Sequence, residues 1–238
     1  MLLELKGLSK AFGSVVVADG IDLAVEEGTA LGIIGPNGAG KSSLFNLISG
    51  NLSPDAGKIL LDGQNISAMP PPDRCVAGIG RSYQIPQPFE TLTVFENLLV
   101  GAVYGNSLTE AQAADRCGQV LEQTGLLDRA NRVSGSLSLL ERKRLEMARA
   151  LATEPRILLL DEIAGGLTEH ECADLVETIQ DIHAQGITII WIEHIVHALL
   201  KAVEHLIVLN FGQLIANGDP RTVVASKGVQ EIYMGIEE

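Results

Sequence analysis

Cysteine, positive charge and long apolar runs are all scarce in this chain of 238 residues, and each scarcity removes a class of protein. The only cysteines are Cys75, Cys117 and Cys172, odd in number and widely spaced. They fit neither a zinc site nor a secreted disulfide framework, so a reducing, cytoplasmic compartment is expected. Lysine and arginine number 17 against 30 acidic residues, a formal charge of -13. That balance works against a nucleic-acid backbone as main partner, because such affinity rests on cations neutralising phosphates, and leaves room only for a local basic patch. Apolar residues make up 46% of the chain, yet they come in short runs such as "ILLL" at 157–160 and "ITIIWI" at 187–192. None approaches the ~20 residues a helix needs to span a bilayer. The start, "MLLELKGLSK", acquires charge at Glu4 and Lys6 and lacks a signal-peptide core. Work at a membrane would require other subunits to do the spanning.

What is present is an ordered alternation of elements. Apolar runs bounded by Gly, Pro, Asn and Asp predict strands near 2–8, 14–18, 20–25, 30–34, 58–62 and 78–84. Between about 93 and 153 the period becomes helical, with capping-box starts at Thr93/Glu96, Ser107/Glu110 and Ser138/Glu141. After Pro155 the runs "ILLL", "ITIIWI" and "HLIVLNF" follow, with a helix opening at Thr168/Glu171 between the first two. Runs without alternation suit strands covered on both faces, and in such parallel sheets ligands bind beyond the carboxyl ends. No internal repeat or low-complexity segment interrupts the pattern.

The residues just after those strands carry the chemistry. "GPNGAGKSS" comprises Gly35, Pro36, Asn37, Gly38, Ala39, Gly40, Lys41, Ser42 and Ser43, directly after an apolar strand, which is the P-loop pattern in its required context. Glycines 35, 38 and 40 let the backbone curl so that N–H groups face phosphate oxygens, and the following helix adds its N-terminal field. Lys41 is expected on the β and γ phosphates, and Ser42 on Mg²⁺. "ILLLDE" ends in Asp161, an anion at the end of a buried strand and so expected to serve Mg²⁺, and Glu162, placed to orient or deprotonate attacking water. His194 closes the "ITIIWIEH" run at the matching position of the next strand, within reach of a γ phosphate. Gln84 ends the "GIGRSYQ" strand, where an amide senses Mg²⁺ or the water.

Taken together, the P-loop, Gln84, "LSLLERKRLEMARAL" at 137–151, "ILLLDE" and His194 stand in the order and spacing of the ATP-binding subunits of ABC transporters, and the chain resembles that family over its whole length. "RSYQIPQPFETLTVFENLLVG", "AGGLT" after Glu162 and the terminal "IYMGIEE" are most similar to the ATPases of branched-chain amino acid importers. The resemblance implies one α/β domain over 1–238, with a P-loop, RecA-like core at about 1–85 and 156–238. An N-terminal antiparallel β portion belongs to that core, and a helical subdomain fills about 86–155. It implies ATP and Mg²⁺ as cofactors, with Ser42, Gln84 and Asp161 as metal ligands and Lys41, Gln84, Glu162 and His194 in catalysis. Phe12, in "KAFGSVVVADG", matches the aromatic that stacks on adenine.

The stretch from Ser138 is then the family's signature, whose helix N-terminus meets the γ phosphate held by a second subunit. Where the family usually has two glycines and a glutamine, this chain has Leu139, Leu140 and Glu141. Leucines take φ > 0 only at a cost, and Glu141 brings negative charge toward a polyphosphate unless it folds back as a cap. Arg142, Lys143 and Arg144 read as a solvated helix face, and Gly165 and Gly166 fall in the loop that passes between subunits.

Implied partners are a second ATPase subunit, like or unlike, transmembrane permease subunits and, indirectly, a periplasmic or extracellular solute-binding protein. The implied location is peripheral, at the cytoplasmic face of the inner (plasma) membrane. Tyr83 to Gly101, with Pro86, Phe89 and Phe95 exposed, resembles the groove that grips a permease coupling helix. Import of branched-chain amino acids is the expectation, with urea, amides or another small polar solute, or a non-transport ATP-dependent clamp, as alternatives. A GTPase is disfavoured because no Asn-Lys-x-Asp sequence occurs.

Overall fold

The structure is a computed structural model and describes residues 1–106 and 108–234. In chain order its elements are β1 (Leu3–Phe12), β2 (Val15–Val25), β3 (Ala30–Ile34), α1 (Lys41–Ser49), β4 (Ala56–Leu61), β5 (Gln64–Asn65), α2 (Pro71–Val76) and β6 (Ile79–Arg81). There follow α3 (Val94–Asn106), α4 (Glu110–Gln123), α5 (Leu139–Ala152), β7 (Ile157–Asp161), α6 (Glu169–His183) and β8 (Thr188–Ile192). The chain closes with α7 (Val196–Ala202), β9 (His205–Asn210), β10 (Gln213–Gly218), α8 (Pro220–Ala225) and α9 (Lys227–Met234). These elements form the α/β P-loop, RecA-like fold with an N-terminal antiparallel β portion and an inserted helical subdomain.

The chain divides into two compact units, one of Met1–Pro71 with Thr188–Glu238 and one of Pro72–Ile187. In the first, β2, β1, β4 and β5 pair antiparallel in that order, and β3 runs parallel between β8 and β9 with β10 antiparallel on the outer side of β9. All five residues of β3 and of β8 are buried, which is why neither run alternates. In the second, β6 and β7 pair parallel and α3, α4 and α5 pack together. The helix α5 buries Leu145, Met147, Ala148 and Leu151, the larger side chains contributing roughly 2 kcal/mol each.

Two expected strands, 14–18 and 20–25, are one. Gly20 at φ 60 does not break β2 but sits in an irregularity across from Ser9, and Gly7 at φ 57 sits in a second one across from Asp22; the Asp22 and Ser9 side chains accept the displaced N–H groups of Gly7 and Gly20 at 2.8 and 2.9 Å. The expected strand 78–84 is shorter, ending at Arg81, so Gln84 lies three residues beyond it in a loop. His194 likewise lies two residues past β8. The capping boxes at Thr93/Glu96, Ser138/Glu141 and Thr168/Glu171 form. Of the Ser107/Glu110 pair, Ser107 lies outside the described residues, and α4 is capped by Thr109 with Gln112. The terminal Gly235 to Glu238 also lies outside them.

These caps make the fold acid-sensitive. Glu96 and Glu171 titrate below their ordinary 4.5, first because the backbone N–H of Thr93 or Thr168 donates to each carboxylate. A carboxyl lowered in the folded state stabilises it above the ordinary value and loses that contribution as pH falls through the lowered one. Melting temperature followed from pH 6 downward should therefore fall less steeply below 4.5 in an E96Q/E171Q variant, whose amides still cap but do not titrate. An unchanged slope would show that these caps do not carry the dependence.

Candidate functional site

In the first unit the loop 35–40 is shaped by its surroundings. A Cβ at Gly35 would stand 2.2 Å from the Leu209 carbonyl oxygen, and one at Gly40 2.2 Å from that of Val17. Gly40, at φ 103, is the N-cap of α1 and offers no capping side chain, so the helix start presents backbone donors and its positive end. The β9–β10 turn braces the loop from outside, with Gly212 N–H donating to the Ala39 carbonyl at 2.9 Å. Lys41, 7% exposed, donates its ammonium to the carbonyls of Gly35 and Pro36 at 2.7 and 3.1 Å, while Ser42 is exposed at the first helical turn. This is a cradle for an anion with a cation folded into it.

Phe12 ends β1 half exposed, with the Lys10 ammonium 5.4 Å from its ring centre, so it is a surface aromatic and not core. The His194 ring is exposed and its Nδ1 lies 3.6 Å from Glu193. Glu193 is wholly buried, and its carboxylate accepts from the N–H groups of His194 at 3.0 Å and Ile195 at 3.3 Å. It fixes the turn that carries His194. The role of Glu193 is hard to see in the sequence, because it lies inside the apolar run and looks like the strand's last polar residue.

In the second unit, Asp161 is 3% exposed at the end of β7. One oxygen takes the Arg81 guanidinium at 2.9 Å, and the other, Oδ1, has no hydrogen-bond donor among the described residues. A buried carboxylate oxygen left so costs on the order of 1–3 kcal/mol unless a cation takes it. A single buried carboxylate oxygen fits Mg²⁺, a hard cation held mainly by phosphates and water that needs only one or two protein ligands. Glu162 follows at φ 45, a conformation non-glycine residues rarely adopt and one found at functional sites. Its carboxylate accepts from the Gln84 amide at 2.6 Å. Gln84 is therefore not strand-held as expected; it is aimed by Glu162.

The N-terminus of α5 corrects one expectation and bears out another. Leu139 and Leu140 lie inside the helix with no positive φ, so the leucines meet no backbone penalty there. The Leu139 side chain instead reaches toward Gly166, where a Cβ would come within 3.2 Å of it. Glu141 folds back, accepting from the Ser138 N–H at 2.8 Å and from Arg129 at 2.7 Å. Burial raises its carboxyl, but the Ser138 backbone and Arg129 outweigh that and hold it below the ordinary range.

Nor is 142–144 a solvated face. Arg142 donates to the carbonyls of Leu137 and Gly135 at 3.1 and 2.7 Å, and Lys143 is 4% exposed. Its ammonium donates to the Gln84 carbonyl at 2.8 Å and the Glu162 carbonyl at 3.3 Å. One turn on, Glu146 accepts from the Gln87 N–H at 3.3 Å, and Arg149 donates to the Gln87 carbonyl at 2.8 Å with its guanidinium over Phe89. Burial pushes the Glu146 carboxyl up, against the opposing pull of Arg149. Buried Asn97 closes the loop from its other side, accepting from the Phe89 N–H at 2.8 Å and donating to the Phe89 carbonyl at 3.2 Å. Of the three aromatic and proline positions expected to be exposed, only Phe89 is; Pro86 and Phe95 are half-buried. Loop residues 84–89 thus hang on α5. The three-residue spacing of Lys143, Glu146 and Arg149 was the available signal, because it puts all three on one face.

The chain's likeness to known proteins runs along its whole length. A family model described as "ABC transporter" matches residues 18–165. The chain is 34% identical to the high-affinity branched-chain amino acid transport ATP-binding protein BraF of Pseudomonas aeruginosa, covering 98% of both. It is 32% identical to the lipopolysaccharide export system ATP-binding protein LptB of Haemophilus influenzae, covering 98% of this chain and 97% of that one. Among solved structures, a nucleotide-free ATP-binding cassette from an ABC transporter superposes with TM-score 0.90 at 32% identity, covering 100% of this chain and 99% of that one. Among the described residues no helix is long and apolar enough to cross a membrane. The expected place at the cytoplasmic face of the inner membrane is corrected on that finding.

The crowding around the loop sets a measurable contrast. Gly40→Ala meets both the Val17 carbonyl and φ 103, and should cost about 3 kcal/mol or more along with phosphate binding. Gly38→Ala meets no atom within 4 Å at φ 82, and should cost only ~1–2 kcal/mol. Denaturant melts of the two variants rank them; equal losses would mean the loop relaxes freely.

Proposed function

The chain belongs to the ABC transporter ATP-binding family, and from that premise we propose that it binds and hydrolyses ATP to energise an importer of branched-chain amino acids. The observation that supports hydrolysis best is Asp161 Oδ1, buried with no donor among the described residues and directly followed by Glu162 in a strained conformation. A metal-binding carboxylate and a water-activating one in succession is the arrangement that splits a phosphoanhydride.

In this reading Gly35 to Ser43 wrap the polyphosphate and Phe12 stacks on the base. Mg²⁺, held by Ser42, Asp161 and Gln84, would neutralise charge developing on the phosphates. Lys41 leaves the carbonyls of Gly35 and Pro36 for the β and γ phosphates; those carbonyls hold it in place beforehand. Glu162 takes a proton from water, Gln84 holds the carboxylate that does so, and His194 donates toward the γ phosphate. The N-terminus of α5, with Ser138, serves the nucleotide of a second, like or unlike ATPase subunit, and the folded-back Glu141 keeps its charge out of the way. We treat 1–238 as one ATPase domain with core residues at about 1–85 and 156–238 and the helical subdomain at about 86–155.

Partner permease subunits and, through them, a solute-binding protein complete the assembly. An apolar cavity of about 440 Å³ in the second unit, lined by Leu92, Leu99, Val100, Val103 and Tyr104 with Glu96 and Glu110, supports a permease contact near the stretch Tyr83 to Gly101. The solute rests on the kinship with transport ATPases named for branched-chain amino acids. The comparable likeness to a lipopolysaccharide-export ATPase makes the cargo a matter for the permease.

Glu162→Gln separates an ATPase from a clamp that only binds. The variant should lose hydrolysis by about 100-fold or more and persist as an ATP-bound dimer in size-exclusion chromatography. Turnover and dimer lifetime equal to the parent's would contradict the assignment.

A further inference from the structure

We propose that Lys143 is a positioning residue for the hydrolytic step, holding Glu162 and Gln84 as one unit from the signature helix. The inference rests on the reading of Glu162 as the carboxylate that readies water.

A lysine residue with 4% of its surface exposed is costly unless strong acceptors meet its ammonium. The acceptors here are the main-chain carbonyls of the two residues whose side chains meet each other. Lys143 Nζ reaches the Gln84 carbonyl at 2.8 Å and the Glu162 carbonyl at 3.3 Å, while the Gln84 amide donates to the Glu162 carboxylate at 2.6 Å. Two loops 78 residues apart in sequence are thereby closed into a ring through one side chain. Helix α5 fixes one side of that ring. The Glu162 backbone at φ 45 is the part that needs fixing, because a bent non-glycine residue relaxes when its support is removed. Glu146 and Arg149, on the same face, extend the grip to Gln87 and Phe89, so the Gln84 loop cannot drift without α5.

Bonded to the main-chain carbonyls of Gln84 and Glu162, the ammonium acts by fixing where the Glu162 carboxylate points. Its removal should therefore slow the chemical step and leave ATP binding intact. It should also lessen what the Gln84 side chain contributes, since the pair no longer works as a unit.

The test uses the full chain with MgATP, the parent beside K143M, K143R, Q84A and K143M/Q84A, with melting curves for each. We expect K143M to lower kcat about 10-fold or more with KM for ATP within about 2-fold, and K143R to recover part of the loss because its donors reach the same carbonyls. Q84A should cost clearly less in the K143M background than alone. If K143M does not melt cooperatively, K143Q, which keeps an amide with two N–H donors, carries the same comparison. Failure of both to fold would make Lys143 structural only and overturn the proposal. Parental kcat in K143M, or Q84A and K143M effects that simply multiply, would also overturn it. A parent that splits no ATP would instead bring down the functional reading, and this proposal with it; an active parent beside an equally active K143M brings down this proposal alone.

Discussion

Carbonyl oxygens crowding the loop 35–40 are the constraint on which this protein's chemistry depends. Leu209 and Val17 place their oxygens where side chains at positions 35 and 40 would begin, so the loop is held against β9 and β2 as bare backbone. That closeness points the first N–H groups of α1 outward with no capping side chain, and it lets Lys41 fold back onto the Gly35 and Pro36 carbonyls. In the proposed function, a polyphosphate would exchange with those carbonyls for the ammonium and meet a helix field already aligned, leaving little to reorganise.

The second unit solves a different problem, that of placing and aiming two carboxylates in succession. Asp161 is paired with Arg81 through one oxygen, and the other has no hydrogen-bond donor among the described residues. Glu162 is more exposed to choice of direction, and its aim is set by hydrogen bonds from Gln84 and through the main chain from Lys143. The helix α5 therefore has two jobs. Its N-terminus carries Ser138 and the Glu141 cap, and its flank carries the loop 84–89. The polar residues of this helix are placed for other segments of the same unit and not for solvent.

The legible parts of the sequence were those whose signal is local. A P-loop declares itself because glycine spacing, lysine and the preceding apolar run are contiguous, and capping boxes declare themselves within four residues. The strand ends carrying Asp161 were equally clear, since a five-residue run with no alternation has one plausible environment. Long-range partners were hidden. Gln84 was expected on a strand and sits in a loop, because Arg81 ends the pairing and only tertiary partners hold the residues beyond it. Lys143 looked like one of three solvated cations, and nothing within ten residues announces that its acceptors lie 59 and 19 residues away. The penalty expected at Leu139 and Leu140 came from carrying a glycine pattern over to residues that simply begin a helix. Gly20 misled in the other direction, since a bulge and a break share one residue type.

All of this turns on a phosphate group being held by the bare loop and the ammonium folded into it. Equilibrium binding and steady-state cleavage of MgATP by Lys41→Ala, beside the parent, tests that most directly. The account predicts that the variant loses hydrolysis by orders of magnitude and binds ATP markedly more weakly; a Lys41→Ala protein that binds and splits MgATP as the parent does would contradict it.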